Sequence, residues 1–320
     1  MQVINDPTQD EIKLAAIALK NGHLVAFPTE TVYGLGADAT NEKAVSKIYV
    51  AKGRPRNHPV IVHISSPKQL DNWAIEIPKY AIRLGSVYWP GPMTLILRRN
   101  SRASDFITGG QESIGLRVPN QQVALALTRE FEKLGGFGIA APSANRFGSV
   151  SPTTAGAVQI ELGEFLVSED VILDNGQCEI GIESTIVDCT HVNPVVLRPG
   201  AITKEMIEEV TDLKVLFKPN DSELRASGSL DTHYAPNAKV IFGSDAMPGD
   251  GFIALAQTPT PIGSIRLASP RSIEEYAKDL YKALRMGDQL RLTYIHVVVP
   301  EGHGLAIAIR DRLAKASSGR

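Results

Sequence analysis

LVAFPTETVYGLGADATNEKAVSKIYVAKGRPRNHPVIVHI, residues 24–64, is the stretch that decides the fold. Leu24 to Phe27 is a short apolar strand stopped by Pro28, and the cap residue Asn41 opens a helix from about Glu42 to Lys52. Val60 to Ile64 then returns to a strand pattern. Strand, helix and strand in so short a run predict an α/β or α+β fold.

Working outward, Thr8 and Glu11 form a capping box for a first helix, on which Ile12, Ala15, Ala16 and Leu19 recur at helical spacing until Asn21 and Gly22. Downstream, strand-like runs follow at Met93 to Leu97, Ile114 to Val118, Phe137 to Ala141, Val171 to Leu173, Thr185 to Asp188 and Val195 to Leu197. Helical patterns at Gln122 to Leu134 and Ile202 to Val210 lie among them, so a sizeable mixed sheet is expected. Periodicity fails in KPNDSELRASGSLDTHYAPN, residues 218–237, which reads as a linker. Beyond it VIF, FIALA and YIHVVV alternate with helices at about Ile273 to Arg285 and Leu305 to Ala316, the pattern of a compact Rossmann-like α/β unit. The expected units are therefore 1–217, a linker at 218–237, and 238–320.

With 320 residues, 43% of them hydrophobic, the chain can bury a full core. A net charge of -2 argues against a broad electrostatic grip on nucleic acid and leaves room only for a local basic patch. Cys178 and Cys189 are too few for a disulfide framework or a cysteine-rich zinc site, which points to a reducing compartment. MQVINDPTQDEIK has no basic segment followed by an apolar one, and no apolar run is long enough to span a bilayer. The expectation is an unexported, cytoplasmic protein.

Five blocks combine small residues, hydroxyls and cations: PTETVYGLGADA from Pro28, KGRPRNHPVIVHI from Lys52, WPGPMTLIL from Trp89, APSAN from Ala141 and GIESTIVD from Gly181. They read as loops mounted on a sheet, where a rigid scaffold aims polar groups at a ligand. Lys52, Arg54 and Arg56 put three cations in a turn stiffened by Pro55 and Pro59, which suits a polyphosphate; a solvated basic loop is the alternative. Arg117 lies inside the apolar strand IGLRVP, where a guanidinium is costly unless it meets a ligand anion or a buried carboxylate. Arg198 ends another strand in the same way. Thr29, Ser143, Asn145, Ser151 and Ser184 sit at strand ends, each of them equally compatible with turn chemistry. His63, alternating with Val62 and Ile64, reads as structural when taken alone. No Gly-Lys dipeptide, zinc signature or nucleophile elbow is present, so positioning and charge stabilisation are expected rather than covalent catalysis.

Together these blocks resemble the YrdC-like family, and over its whole length the chain is similar to the long, two-domain threonylcarbamoyl-AMP synthases. The resemblance implies a twisted mixed sheet with a concave, cation-lined face, crossed by the linker. It implies that L-threonine, bicarbonate and ATP are joined into threonylcarbamoyl-adenylate, with magnesium on the polyphosphate. A partner transferase then delivers the group to tRNA, and a direct tRNA contact is possible for such a protein. By the same resemblance Lys52 and Arg54 are catalytic, and Thr29, His63, Arg117, Ala141 and Ser184 hold threonine. Lys52, Arg56, Ser113, Ser143, Asn145, Ser151, Arg198 and Tyr234 line the nucleotide site. Long members carry basic residues before HYAP, whereas this chain reads ASGSLDTHYAP. Two competing readings are a carbamoyl-adenylate-forming hydrogenase maturation factor, which two isolated cysteines fit poorly, and a non-catalytic double-stranded RNA-binding module.

Overall fold

The computed structural model describes residues 1–217, 225 and 234–318. Most of the expected linker, including His233, lies outside the described residues, and so does its expected path across the site.

Among the described residues, eleven strands form one mixed sheet. They are β1 (Gln2–Asn5), β2 (Val25–Phe27), β3 (Gly34–Asp38), β4 (Ile61–His63), β5 (Met93–Arg98), β6 (Ser113–Arg117), β7 (Ile139–Ala140), β8 (Val171–Asp174), β9 (Thr185–Asp188), β10 (Val195–Arg198) and β11 (Leu216–Phe217). Their order is β1-β8-β2-β3-β7-β4-β6-β5-β9-β10-β11. The central β4 runs parallel to β6 and antiparallel to β7, pairing His63 with Arg117 on one side and Ile139 on the other. A second sheet of β12 (Lys239–Phe242), β13 (Gly251–Ile253), β14 (Ile265–Ala268) and β15 (Tyr294–Val297) is parallel throughout, in the order β12-β15-β13-β14. The fold is thus α/β with a large mixed sheet and a smaller Rossmann-like one.

Local sequence explains the elements that carry the site. The capping box of Thr8 and Glu11 is closed in both directions at the start of helix Gln9–Lys20. Asn41 caps helix Glu42–Lys52, and Gly53, left-handed at φ 61°, ends it. Lys52 is therefore the last helical residue, and Arg54 leaves in a new direction.

One expectation needs correction. The GLGAD half of the first block reads as a loop, yet it is the buried strand β3, antiparallel to β2, and only PTETVY forms the connection. Glycine hides strand character because it carries no side chain to show period 2, but here its bareness is what permits pairing. A Cβ on Gly36 would lie 2.8 Å from both Ile139 Cγ2 and Phe27 Cε1. Strands β1 and β14 and helices Lys79–Tyr88 and Ala155–Leu162 also arise where no pattern was read.

The two sheets meet through helix Ile273–Gln289. The core over the second sheet, built on Tyr276, Leu280 and Leu284, also takes in Val32, Val150 and Ile182 from the first part of the chain. Gly181, at φ +81°, allows this contact: a Cβ there would lie 2.4 Å from Lys278 Cα and 2.6 Å from two carbonyl oxygens of that helix. Backbone cannot yield as a side chain can. Gly181→Ala is expected to cost about 1–3 kcal/mol of overpacking before any strain from the positive φ. A shift of the urea midpoint at unchanged slope would show it.

Candidate active site

One pocket gathers residues from four of the five blocks, together with Arg117, Arg198 and Tyr234 from outside them. All five threonine candidates line it, Thr29, His63, Arg117, Ala141 and Ser184, together with Ser143, Arg198 and Tyr234 from the nucleotide set. Gly34, read from the sequence as a place where backbone can approach a ligand closely, lines it as well, and so do Ile61 and Glu183, which sequence reasoning had not singled out.

The floor is the register of β4 and β6. Arg117 is buried and forms an ion pair with Glu30, Nη2 to Oε1 at 2.7 Å, with both side chains at most 5% exposed. Its Nε donates to Gly91 O at 3.3 Å, while Glu30 Oε2 accepts the Asn120 amide at 3.0 Å. The ion pair is not an aligned hydrogen bond, so Arg117 Nη2 keeps donor capacity toward the pocket. Both readings of this strand arginine therefore hold: it has a buried carboxylate, and it faces the cavity. Glu30 went unrecognised as the partner because residues 30 and 117 meet only through the sheet.

His63 stands beside Arg117 with its ring edge-on to Phe27 at 5.9 Å. Among the described residues neither ring nitrogen has an aligned hydrogen-bond partner. Burial and then the Arg117 cation hold the imidazole down at about 3 against an ordinary 6.5, with the Ile139 backbone opposing. It is thus neutral, with one ring nitrogen a donor and the other an acceptor.

That shift has a sign. The folded protein binds fewer protons than the unfolded chain between the two pKa values, so the His63 contribution is complete above pH 6.5 and is lost as pH falls toward 3. Glu183, held at about 2 against 4.5, adds a second loss with the same sign below 4.5. Urea midpoints should fall from neutral pH to 4.5 in the wild type and fall less steeply in His63→Asn. Equal slopes would assign the loss to other groups.

In the PTET turn the Thr29 hydroxyl donates to Val32 O at 2.6 Å and accepts from the Thr31 and Val32 amides at 3.2 Å. Its bonds shape the turn, and Thr29 offers the pocket its surface rather than a free hydroxyl. Across the cavity, Ser184 is fixed by Thr94 (Oγ to Oγ, 2.8 Å) and by Arg198, which donates from Nε to Ser184 O at 3.0 Å and from Nη2 to its Oγ at 3.1 Å.

The APSAN loop forms the third side. Ala141 N donates to Ile61 O at 2.9 Å and Leu35 N to Pro142 O at 2.8 Å, locking the loop to β4 and β3. Lys52, 2% exposed, donates to Ser143 O at 2.6 Å and to Asn145 O. It is a clamp on this loop and is not part of the pocket lining. Burial, reinforced by Arg54, pushes its ammonium well below the usual lysine range. Arg54 donates to Pro59 O at 2.8 Å, and burial lowers its guanidinium to about 10. Asn145 spends its amide on Arg146 O and Ser149 O, leaving a buried Oδ1 without a partner.

Three further candidates stand apart from the main lining, as Lys52, Arg54 and Asn145 do. Arg56 is exposed and donates to Ser46 Oγ at 2.6 Å. Ser113 borders a smaller adjoining void that shares Ile61 with the pocket and is walled by Ile96, Gly115 and Ile186. Ser151 is fully buried and gives its hydroxyl to Glu183 at 2.6 Å. Tyr234, at φ 63°, stacks on Tyr281 with centroids 5.7 Å apart. Both cysteines are buried free thiols. Among the described residues no group of three or more His, Cys, Asp or Glu side chains is placed to hold a metal, and no helix is long and apolar enough to cross a membrane.

A concave mixed sheet that converges fixed cations, hydroxyls and a neutral histidine on one pocket defines an enzyme of the nucleotidyltransferase type. Residues 17–200 match the family described as telomere recombination (Sua5, YciO, YrdC), and residues 202–318 match the C-terminal domain of threonylcarbamoyl-AMP synthase. Threonylcarbamoyl-AMP synthases of Pyrococcus abyssi and Bacillus subtilis are each 39% identical to this chain, over 97% and 99% of it and 95% and 94% of their own lengths. The structure of P. abyssi Sua5 complexed with L-threonine superposes with a TM-score of 0.88 at 36% identity, covering 99% of this chain and 97% of that one. The chain belongs to the threonylcarbamoyl-AMP synthase family.

Proposed function

We propose that this chain condenses L-threonine, bicarbonate and ATP into threonylcarbamoyl-adenylate in the pocket around Arg117. The observation that carries this reading is the convergence of Arg117, His63 and Ser184 with Ser143, Arg198 and Tyr234 on one cavity. Arg117 holds the threonine carboxylate through the donor that its ion pair with Glu30 leaves unaligned. Neutral His63 meets the substrate's amine or hydroxyl without adding a second cation beside Arg117.

The threonine amine attacks the bicarbonate carbon, giving a carbamate and water. A carbamate oxygen then attacks the α-phosphorus of ATP, and pyrophosphate leaves. Arg198 and the Lys52–Arg54 turn offset the charge that gathers on the phosphates, while Arg117 fixes the approach. Magnesium would arrive on the polyphosphate, which supplies most of its oxygens. The product is a mixed anhydride that a transferase must consume, with adenosine in tRNA as acceptor and the cytoplasm as the compartment.

Pyrophosphate release from the purified protein, with ATP, magnesium, threonine and bicarbonate omitted in turn, tests the reading. Release should need both threonine and bicarbonate. A folded protein that releases none under any condition would favour the RNA-binding alternative.

A further inference from the structure

Glu183, in the wall of this pocket, is held from the far end of the chain. Arg312, on helix Leu305–Ser317, has no exposed surface and donates from Nε to Glu183 Oε2 at 2.8 Å. Its Nη2 donates to Pro199 O at 3.0 Å, and Nη1 pairs with Asp311 at 2.6 Å. The same guanidinium lies 5.4 Å from the centroid of the Tyr234 ring. Tyr281 stacks on that ring and donates its hydroxyl to Glu183 Oε2 at 2.9 Å. One buried cation thus touches the residue before Ser184, the residue after Arg198 and a face of Tyr234.

We propose that Arg312 is a positioning residue for the nucleotide half of the site, acting through Glu183. The inference rests on the function proposed above. Glu183 lines the pocket, and burial alone would raise its carboxyl, but Arg312 and then Arg198, with hydrogen bonds from Ser151 and Arg312, outweigh burial and keep it ionised. A carboxylate facing a polyphosphate site repels the ligand unless a cation behind it cancels its charge. Arg312 is that cation, itself without exposed surface. Without it, Arg198 is the remaining cation acting on Glu183 and is drawn from the phosphates toward the carboxylate. The C-terminal part of the chain accordingly supplies charge and register to the reaction site.

Three variants test this: Arg312→Met, Arg312→Lys and the double variant Glu183→Gln with Arg312→Met. In Arg312→Met the KM for ATP should rise about tenfold or more, while the KM for threonine moves by less than about threefold. The neutral double variant should return the ATP KM to within about threefold of wild type, because it removes the uncompensated carboxylate as well. Lysine keeps the charge but lacks the fork that reaches both Glu183 and Pro199, so it should recover only part of the ATP affinity. An ATP KM unchanged in Arg312→Met would overturn the proposal. So would equal rises in both KM values that the double variant fails to reverse. If Arg312→Met does not fold, an ATP KM in Arg312→Lys equal to wild type, or one in the double variant raised about tenfold or more, overturns it. Wild-type protein without threonine-dependent release would instead overturn the function proposed above. Amide hydrogen exchange at Ser184 and Thr185, read without substrate, is independent of that outcome, and unchanged protection in the folded variants would remove the positioning role.

Discussion

Arg117→Met is expected to raise the KM for threonine by about 10- to 100-fold, the worth of a charge-assisted contact to a carboxylate. The same change should lower stability by about 3–5 kcal/mol, because it strands the Glu30 carboxylate, 3% exposed, without its cation. Two effects on one residue are separable. Pairing the substitution with Glu30→Gln removes the stranded charge, so the double variant should regain most of the stability while its threonine KM stays high. Urea midpoints and threonine titrations at saturating ATP distinguish these outcomes. A folded Arg117→Met enzyme with threonine KM within twofold of wild type would reduce Arg117 to a structural ion pair.

Lys52→Met is the second large effect, with turnover expected to fall by a factor on the order of 10² to 10³. Lys52 holds the carbonyls of Ser143 and Asn145, so its loss loosens the loop that carries both residues and, on the function proposed, removes a cation that offsets phosphate charge. Single-turnover pyrophosphate release at saturating substrates reads the chemical step directly. Near-wild-type turnover would remove Lys52 from the catalytic machinery. Arg54→Met should act in the same direction through charge alone, since Arg54 donates to Pro59 O and not to the APSAN loop.

Much of the fold was legible because it is written locally. Amphipathic spacing and caps marked helices Gln9–Lys20, Glu42–Lys52, Gln122–Lys133 and Ile273–Gln289, and apolar runs marked β4, β5, β6 and β9. Strand β3 was hidden by its glycines, and β7 is only Ile139–Ala140 where five residues were expected, although Ala141 still donates to Ile61 O in the same register. At the site, hydroxyls and cations in the five blocks announced a polar ligand, but a hydroxyl cannot reveal whether it serves the ligand or the turn. Thr29 proved to be engaged in its own turn, Ser151 in Glu183, and Arg56 in Ser46.

The sequence by itself determined the α/β class and which segments hold polar groups at strand ends, since these depend on short-range periodicity, capping and turn chemistry. Only the tertiary structure decided the partners. Glu30 with Arg117, Glu183 with Arg312, and Lys52 with the Ser143 and Asn145 carbonyls join residues far apart in the chain. Local pattern leaves such pairs undetermined, because a buried charge can be satisfied by any opposite charge or carbonyl the fold delivers. Arg312 lies on the apolar stripe of its helix with Ala308, Ile309, Leu313 and Ala316, the same anomaly that drew notice at Arg117. Its spacing marks it as buried, and only the fold brings its guanidinium to Glu183 and Pro199 at the edge of the site.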